Sequence, residues 1–255
     1  GVIPYAKSEH IKEKQIIGVE IEEDMYSLAF SNMILHGDGK SNLYKGDSLV
    51  NLEVEKNEDG KSIMLEDKIK ELSPNIALMN PPYNDNAAPK FILRLCQLLK
   101  IAGNGKRTAC VIAPSPCLRK LPEVTRQIFD IAKLKAVIDM SGGLFKSQNI
   151  NTKTSIFIFE VGSKHSGDTY FYDLKNDGYK YSKRTNKDIG DFNQIKKKAI
   201  DHIFNLKHNP DVSYMEQIDE STFENTIYIP KREVVLTDYD FLKAIIDYKI
   251  YELQE

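Results

Sequence analysis

Through the first 160 or so residues, short apolar runs alternate with segments whose apolar residues recur at helical spacing, a pattern few folds accept. Residues 15–21 read as a strand. Residues 23–36 follow with Met25, Leu28, Ala29 and Met33 on one helical stripe, and Gly37 stops the helix. Further strands are predicted at Asn42–Lys45, 75–79, 108–113, 134–140 and Thr154–Val161, with helices at 89–101 and 122–132. Residues 51–61 are polar and charged and read as a solvated loop. Strands alternating with helices predict an α/β fold, a mainly parallel sheet with helices on both faces. Ligands of such sheets sit beyond the carboxyl ends of the strands, so the polar residues just after each strand carry the functional information.

Composition narrows the classes. With 255 residues, 41% of them hydrophobic, the chain can bury a core. No apolar run approaches the roughly 18–20 residues that span a bilayer, and no secretory signal opens the sequence, so no membrane role is expected. Cys96, Cys110 and Cys117 lack metal-ligand spacing and read as core thiols of a reduced, cytoplasmic protein. The five histidines are scattered, and no metal site is expected. The net charge of −2 lacks the basic excess of a protein that grips DNA alone. Either the basic surface is local or a partner supplies most of that binding.

After Gly162 the texture changes. Residues 168–174 read as a strand and Asn176-Asp177-Gly178 as a turn. Lys180, Lys183, Arg184, Lys187 and the three lysines 196–198 form a basic stretch interleaved with Tyr179 and Tyr181, and an amphipathic helix is predicted at 238–251. A boundary near Lys164 would separate a catalytic domain, 1–164, from a carboxy-terminal extension, 165–255, that contacts DNA or another subunit. A solvated charged loop is the plainer reading of the basic stretch.

The strongest motif is Asn80-Pro81-Pro82-Tyr83, directly after the apolar strand at 75–79. Composition alone would place this tetrapeptide in about one chain in a thousand of this size. An exocyclic ring amine is a poor nucleophile, because its lone pair is delocalised. A side-chain amide oxygen (Asn80) and a backbone carbonyl (Pro81) can accept both amine hydrogens and draw the nitrogen toward tetrahedral geometry. The two prolines fix φ and bring no N–H to compete for those acceptors. Tyr83 offers a ring on which an extruded base can stack. The bland alternative is a proline-rich turn over a packed tyrosine.

Together with Gly18-Val19-Glu20, Gly46-Asp47-Ser48-Leu49 and the segment F-K-S-Q-N-I-N-T-K-T-S-I-F-I-F that begins at Phe145, this motif resembles the N6-adenine DNA methylases. The resemblance is nearest to the modification subunit of type I restriction–modification systems and covers most of residues 15–175. It implies a Rossmann-like fold, S-adenosylmethionine as cofactor, and transfer of a methyl group to a flipped-out adenine of double-stranded DNA. A specificity subunit and a restriction subunit would be the protein partners. Catalysis would rest on Asn80, Pro81, Pro82 and Tyr83. Glu20 would bond the ribose hydroxyls and Asp47 the adenine amine, with Ile21, Ser48 and Asn80 completing the cofactor pocket. Phe145 would border the target base, although a core phenylalanine fits it equally well. Thr154 and Ser155 read as strand residues.

One departure stands out. The family's glycine-rich loop precedes the acidic residue by about 20 positions, and residues 1–15 contain neither that loop nor a strand before it. The expectation is a fragment, lacking the first strand and the glycine loop, that binds cofactor weakly or not at all. Two other readings stay open: a glutamine-N5 protein methyltransferase, which shares N-P-P-Y, and a non-catalytic module docking a specificity subunit.

Overall fold

The computed structural model describes residues 10–12, 14–37, 42–83, 86–141, 152–174, 179–181, 186–188, 192–230, 242 and 245. Strand β1 (Ile17–Glu20) leads into helix α1 (Glu23–Leu35), and β2 (Asn42–Lys45) returns parallel to β1. A hairpin of β3 (Glu53–Lys56) and β4 (Ser62–Met64) runs into α2 (Leu65–Leu72). Then come β5 (Ile76–Met79), α3 (Ala87–Ile101), β6 (Arg107–Pro114), α4 (Cys117–Lys120), α5 (Pro122–Phe129) and β7 (Ala132–Asp139). The remainder is β8 (Thr154–Val161), β9 (Thr169–Asp173), a hairpin of β10 (Tyr179–Tyr181) and β11 (Asn186–Asp188), α6 (Phe192–Phe204) and β12 (Ser213–Glu216).

Six strands form the central sheet in the order β12-β9-β7-β8-β6-β5. The expected α/β architecture is present, and its sheet is mixed. β5 runs parallel to β6 and β7 to β9, while β8 lies antiparallel between β6 and β7, and β12 is antiparallel to β9. The sheet continues past the change of texture at Lys164, since β9 and β12 lie on its far side.

Burial on both faces follows the alternation of the strands. Val111, Phe157, Phe159 and Leu134 pack on one face under Ile92, Cys96 and Leu99 of α3 and Ile128 and Phe129 of α5. Ala136, Ile138, Tyr170 and Tyr172 pack on the other face with Ala199 of α6. The three cysteines are free, and burial pushes the Cys96 and Cys117 thiols up to about 12.

The segment 51–61, expected as a solvated loop, contains β3 and the turn of its hairpin. The turn closes because Gly60 N–H donates to the Asn57 carbonyl at 2.9 Å, with Gly60 at φ +76°. Residues 56–61 stay exposed as expected, and the half-buried charge of this segment, Glu55, is paired. The Tyr44 hydroxyl donates to Glu55, which also meets Lys68 at 3.2 Å. The helix expected at 238–251 lies outside the described residues except for Leu242 and Ile245, and the turn 176–178 lies outside them wholly.

A buried guanidinium fixes the entry to β5. Arg107, 6% exposed, donates from Nη1 to the carbonyls of Ser73 and Pro74 and to Asn75 Oδ1, and from Nη2 to Ser73 Oγ and the Ala102 carbonyl. One side chain thus ties the end of α3 to the turn before β5. Glycine is required at 103, where φ is +141° and a Cβ would stand 2.8 Å from Arg107 Nη2. Replacing Arg107 by Leu strips several oxygens of their donor, the Ala102 carbonyl in the core among them. Unfolding free energy should fall by about 2–4 kcal/mol, read as a lower urea midpoint.

His165, 5% exposed, accepts the Leu134 N–H on Nδ1 at 3.2 Å, with its ring 4.3 Å from that of Phe129. Burial, with the charge of Lys133 a lesser cause, pulls its pKa down to about 4. The unfolded chain protonates this imidazole near pH 6.5, so between about pH 6.5 and 4 the unfolded state holds the extra proton. The neutral histidine's stabilisation is therefore complete above that window and lost as pH falls through it, by up to about 3 kcal/mol. Urea unfolding of His165→Gln across the same window should show a flatter pH dependence than the parent. Equal slopes would remove His165 as the cause.

Candidate active site

Three strand ends converge on one cleft. At the end of β1 the Glu22 N–H donates to Glu20 Oε1 at 2.8 Å, which holds that carboxylate in the turn. Beside it Ile21 is 58% exposed. At the end of β2, Gly46 N–H donates to the Glu20 carbonyl at 3.0 Å, so the two turns are stitched together. Asp47 Oδ1 accepts the Leu49 N–H at 2.9 Å, an Asx turn that shapes Gly46-Asp47-Ser48-Leu49.

At the end of β5, Asn80 is exposed, Pro81 buried, Pro82 exposed and Tyr83 half-buried. Burial raises the Tyr83 phenol above its usual range. The chain then enters α3, with Asn86 in the left-handed region at φ 56°.

The cleft has a volume of about 910 Å³ and is lined by Glu20, Ile21, Asp47, Ser48, Asn80, Pro81, Pro82 and Tyr83. Every residue singled out for catalysis or cofactor binding therefore lines a single cavity. Phe145 lies outside the described residues. Residues the sequence reading missed form the apolar wall: Leu65 and Ile69 of α2, and Phe91, Leu95 and Leu98 of α3. Their i, i+4 and i, i+4, i+7 spacings were legible, but spacing alone does not separate a cavity wall from a core stripe.

The cleft runs between two strand edges. β1 pairs with β2, β5 pairs with β6, and no ladder joins β1 to β5. Ile76 and Leu78 of β5 are 65% and 79% exposed, and Met25 and Leu28 of α1 are 52% and 55% exposed. Apolar residues on a strand of this kind are ordinarily covered by a neighbour.

Further along the same end of the sheet a polar cluster is buried. Asp139, 3% exposed, receives a hydrogen bond from Ser155 Oγ at 3.3 Å and meets Lys153 Nζ at 2.6 Å. Ser155 in turn shares a hydrogen bond with Ser115 at 2.8 Å. Thr154 and Ser155 are buried strand residues of β8, as their sequence suggests. Of the basic stretch, Lys180 faces Lys187 across β10–β11, and the three lysines 196–198 are exposed on α6. No group of three or more His, Cys, Asp or Glu able to hold a metal occurs among the described residues, and no helix there is long and apolar enough to cross a membrane.

The strand ends of this α/β sheet thus gather Glu20, Asp47 and the N-P-P-Y loop in one cleft, an arrangement of the Rossmann-like class. The chain belongs to the N-6 DNA Methylase family, whose model matches residues 3–234. It is 30% identical over 183 residues to the type II restriction enzyme and methyltransferase RM.BcgI of Heyndrickxia coagulans, covering 66% of this chain and 26% of that protein.

Two solved structures share the fold. A modification subunit of a putative type I restriction enzyme from Vibrio vulnificus superposes with a TM-score of 0.58 at 15% identity, covering 96% of this chain and 52% of that one. The methyltransferase subunit of a type I restriction–modification system from Streptococcus thermophilus gives 0.56 at 18% identity, covering 87% and 49%. The chain thus spans about a quarter of the curated relative and about half of each solved subunit.

Proposed function

We propose that the chain is the larger part of the catalytic domain of an adenine-N6 DNA methyltransferase. It would serve as the modification component of a restriction–modification system that works with specificity and restriction subunits. The observation that carries this reading is the single cleft holding both the Glu20–Asp47 turns and Asn80-Pro81-Pro82-Tyr83.

The donor set suits S-adenosylmethionine. One oxygen of Glu20 is engaged with Glu22 N–H, and the rest of the carboxylate faces a cavity where a ribose diol would supply donors. Exposed Ile21 offers an apolar surface for a purine face, and the Asp47–Ser48 turn offers polar groups for its edge. The cofactor supplies an activated methyl group. Asn80 Oδ1 and the Pro81 carbonyl accept the amine hydrogens of the target base and help the nitrogen lone pair become available. Tyr83 holds the base by stacking.

The reading also expects a further strand, with its glycine loop, between β1 and β5. The open edges and the exposed Ile76 and Leu78 support it, as does the length of the relatives. Backbone N–H groups of a glycine loop and the helix after it approach a ligand more closely than side chains can. Without them the pocket holds only part of its ligand.

Asn80→Ala in the whole protein should lower turnover far more than cofactor affinity, since the lost acceptor acts mainly as the amine pyramidalises. Near-native turnover in single-turnover assays would sink the assignment. Tyr83→Phe should be mild and Tyr83→Ala severe, because base–aromatic stacking contributes about 1–3 kcal/mol; equal damage would point to the hydroxyl. By calorimetry the 255-residue chain alone should show no saturable S-adenosylmethionine binding at millimolar ligand. Tight binding by the chain alone would show the cofactor site misplaced.

A further inference from the structure

Arg94 stands behind the cleft wall, on the helix that follows the N-P-P-Y loop. Its Nη1 donates to Glu66 Oε1 at 2.8 Å, at the start of α2, and its Nε donates to the Ser48 carbonyl at 3.3 Å. The Arg94 side chain is 14% exposed and that of Glu66 31%. Glu66 is itself anchored, since its N–H donates to Asn51 Oδ1 at 3.0 Å and the Leu65 N–H donates to the Leu52 carbonyl at 2.8 Å. One guanidinium thus ties α3, α2 and the Gly46-Asp47-Ser48-Leu49 turn together.

The turn's other bonds are local or lead to β1. Leu49 N–H and Val50 N–H donate to Asp47, and Gly46 N–H donates to the Glu20 carbonyl. No ladder joins β1 or β2 to β5. The Arg94 to Ser48 bond therefore links the half of the cleft that holds Asp47 to the helix that continues from Asn80. Arg94 Nη2 is buried without a hydrogen-bond partner among the described residues.

We infer that Arg94 is a positioning residue: it sets the distance and angle between the Asp47 turn and the Asn80 loop, and so aligns the bound methyl donor with the target amine. The inference rests on the cleft being the cofactor site. Lysine in its place can keep the ion pair with Glu66 but lacks the fork that reaches Ser48 at the same time. The two structural consequences, an anchored α2 and an anchored turn, are therefore separable.

The test uses the whole protein with Arg94→Lys, Arg94→Met and Glu20→Ala, measuring melting temperature, the S-adenosylmethionine dissociation constant and single-turnover methylation. Arg94→Lys should melt within a few degrees of the parent yet bind cofactor about tenfold more weakly, and saturating cofactor should not restore its methylation rate in full. Arg94→Met should show the same affinity loss together with a lower melting temperature. Should Arg94→Met fail to fold, Arg94→Lys decides alone. If Arg94→Lys matches the parent in affinity and rate while Glu20→Ala binds weakly, the positioning role is overturned and the cleft assignment stands. If Glu20→Ala binds like the parent, the cleft assignment itself fails, and the inference with it.

Discussion

β5 carries Asn80 at its carboxyl end and, among the described residues, is hydrogen-bonded along one edge only, to β6. The bonds that hold this strand come from that side. The ladder runs from Ile76 opposite Thr108 to Met79 opposite Val111, and the Thr108 N–H extends it to the Asn75 carbonyl at 2.9 Å. Arg107 clamps the turn that feeds the strand. Beyond the strand, α3 returns over the sheet and sinks Ile92, Cys96 and Leu99 into the main core. Pro81 and Pro82 then leave little conformational freedom between the strand end and Tyr83. The Asn80–Tyr83 loop is thus held by a rigid frame on one side, while the other side opens on the cleft.

The half of the cleft that carries Glu20 and Asp47 is held differently. β1 and β2 pair with each other, and Ile17 and Val19 of β1, with Leu52 and with Val54 of β3, pack against a small cluster of Leu65, Ile69, Leu98 and Ala102. That cluster is far smaller than the core under α3 and α5, and α1 contributes no buried residue at all. Each fully buried aliphatic side chain stabilises by about 1.5–3 kcal/mol, so this part should open locally well before the central sheet. The geometry of this half therefore depends on few contacts, which gives weight to each directional one, such as the guanidinium of Arg94 on the Ser48 carbonyl.

How much of this was legible in the sequence depends on the range of the interactions involved. Asn42–Lys45 and Thr154–Val161 match their predicted bounds, because alternation and β-branched or aromatic content are local signals. The N-P-P-Y loop was legible because residue types and position after a strand both spoke for it, and Glu20 and Asp47 followed from the same rule about strand ends. The β3 strand was not legible. Its residues Glu53-Val54-Glu55-Lys56 look solvated until Tyr44 and Lys68 are brought to Glu55 by the fold. Arg94 likewise reads as an exposed helix charge, since its partners Ser48 and Glu66 lie 46 and 28 residues away. The antiparallel insertion of β8 between β6 and β7 is a matter of strand order, which periodicity does not encode.

The charge distribution constrains how such a site could meet a polyanion. The cleft mouth carries the carboxylates of Glu20 and Asp47, with Glu22 beside them. Acids at this position favour a ligand that presents hydroxyl and amine donors, and disfavour a phosphate backbone at the same spot. With a net charge of −2 the chain has no general excess of positive charge to offset that repulsion. The exposed lysines 196–198 sit on α6, which packs on the sheet face opposite α3. At physiological salt, charges more than about 8 Å apart in solvent are largely screened, so those lysines cannot neutralise phosphates held at the cleft unless the duplex also passes α6. On the proposed reading the extruded base therefore enters the cleft while its backbone stays outside.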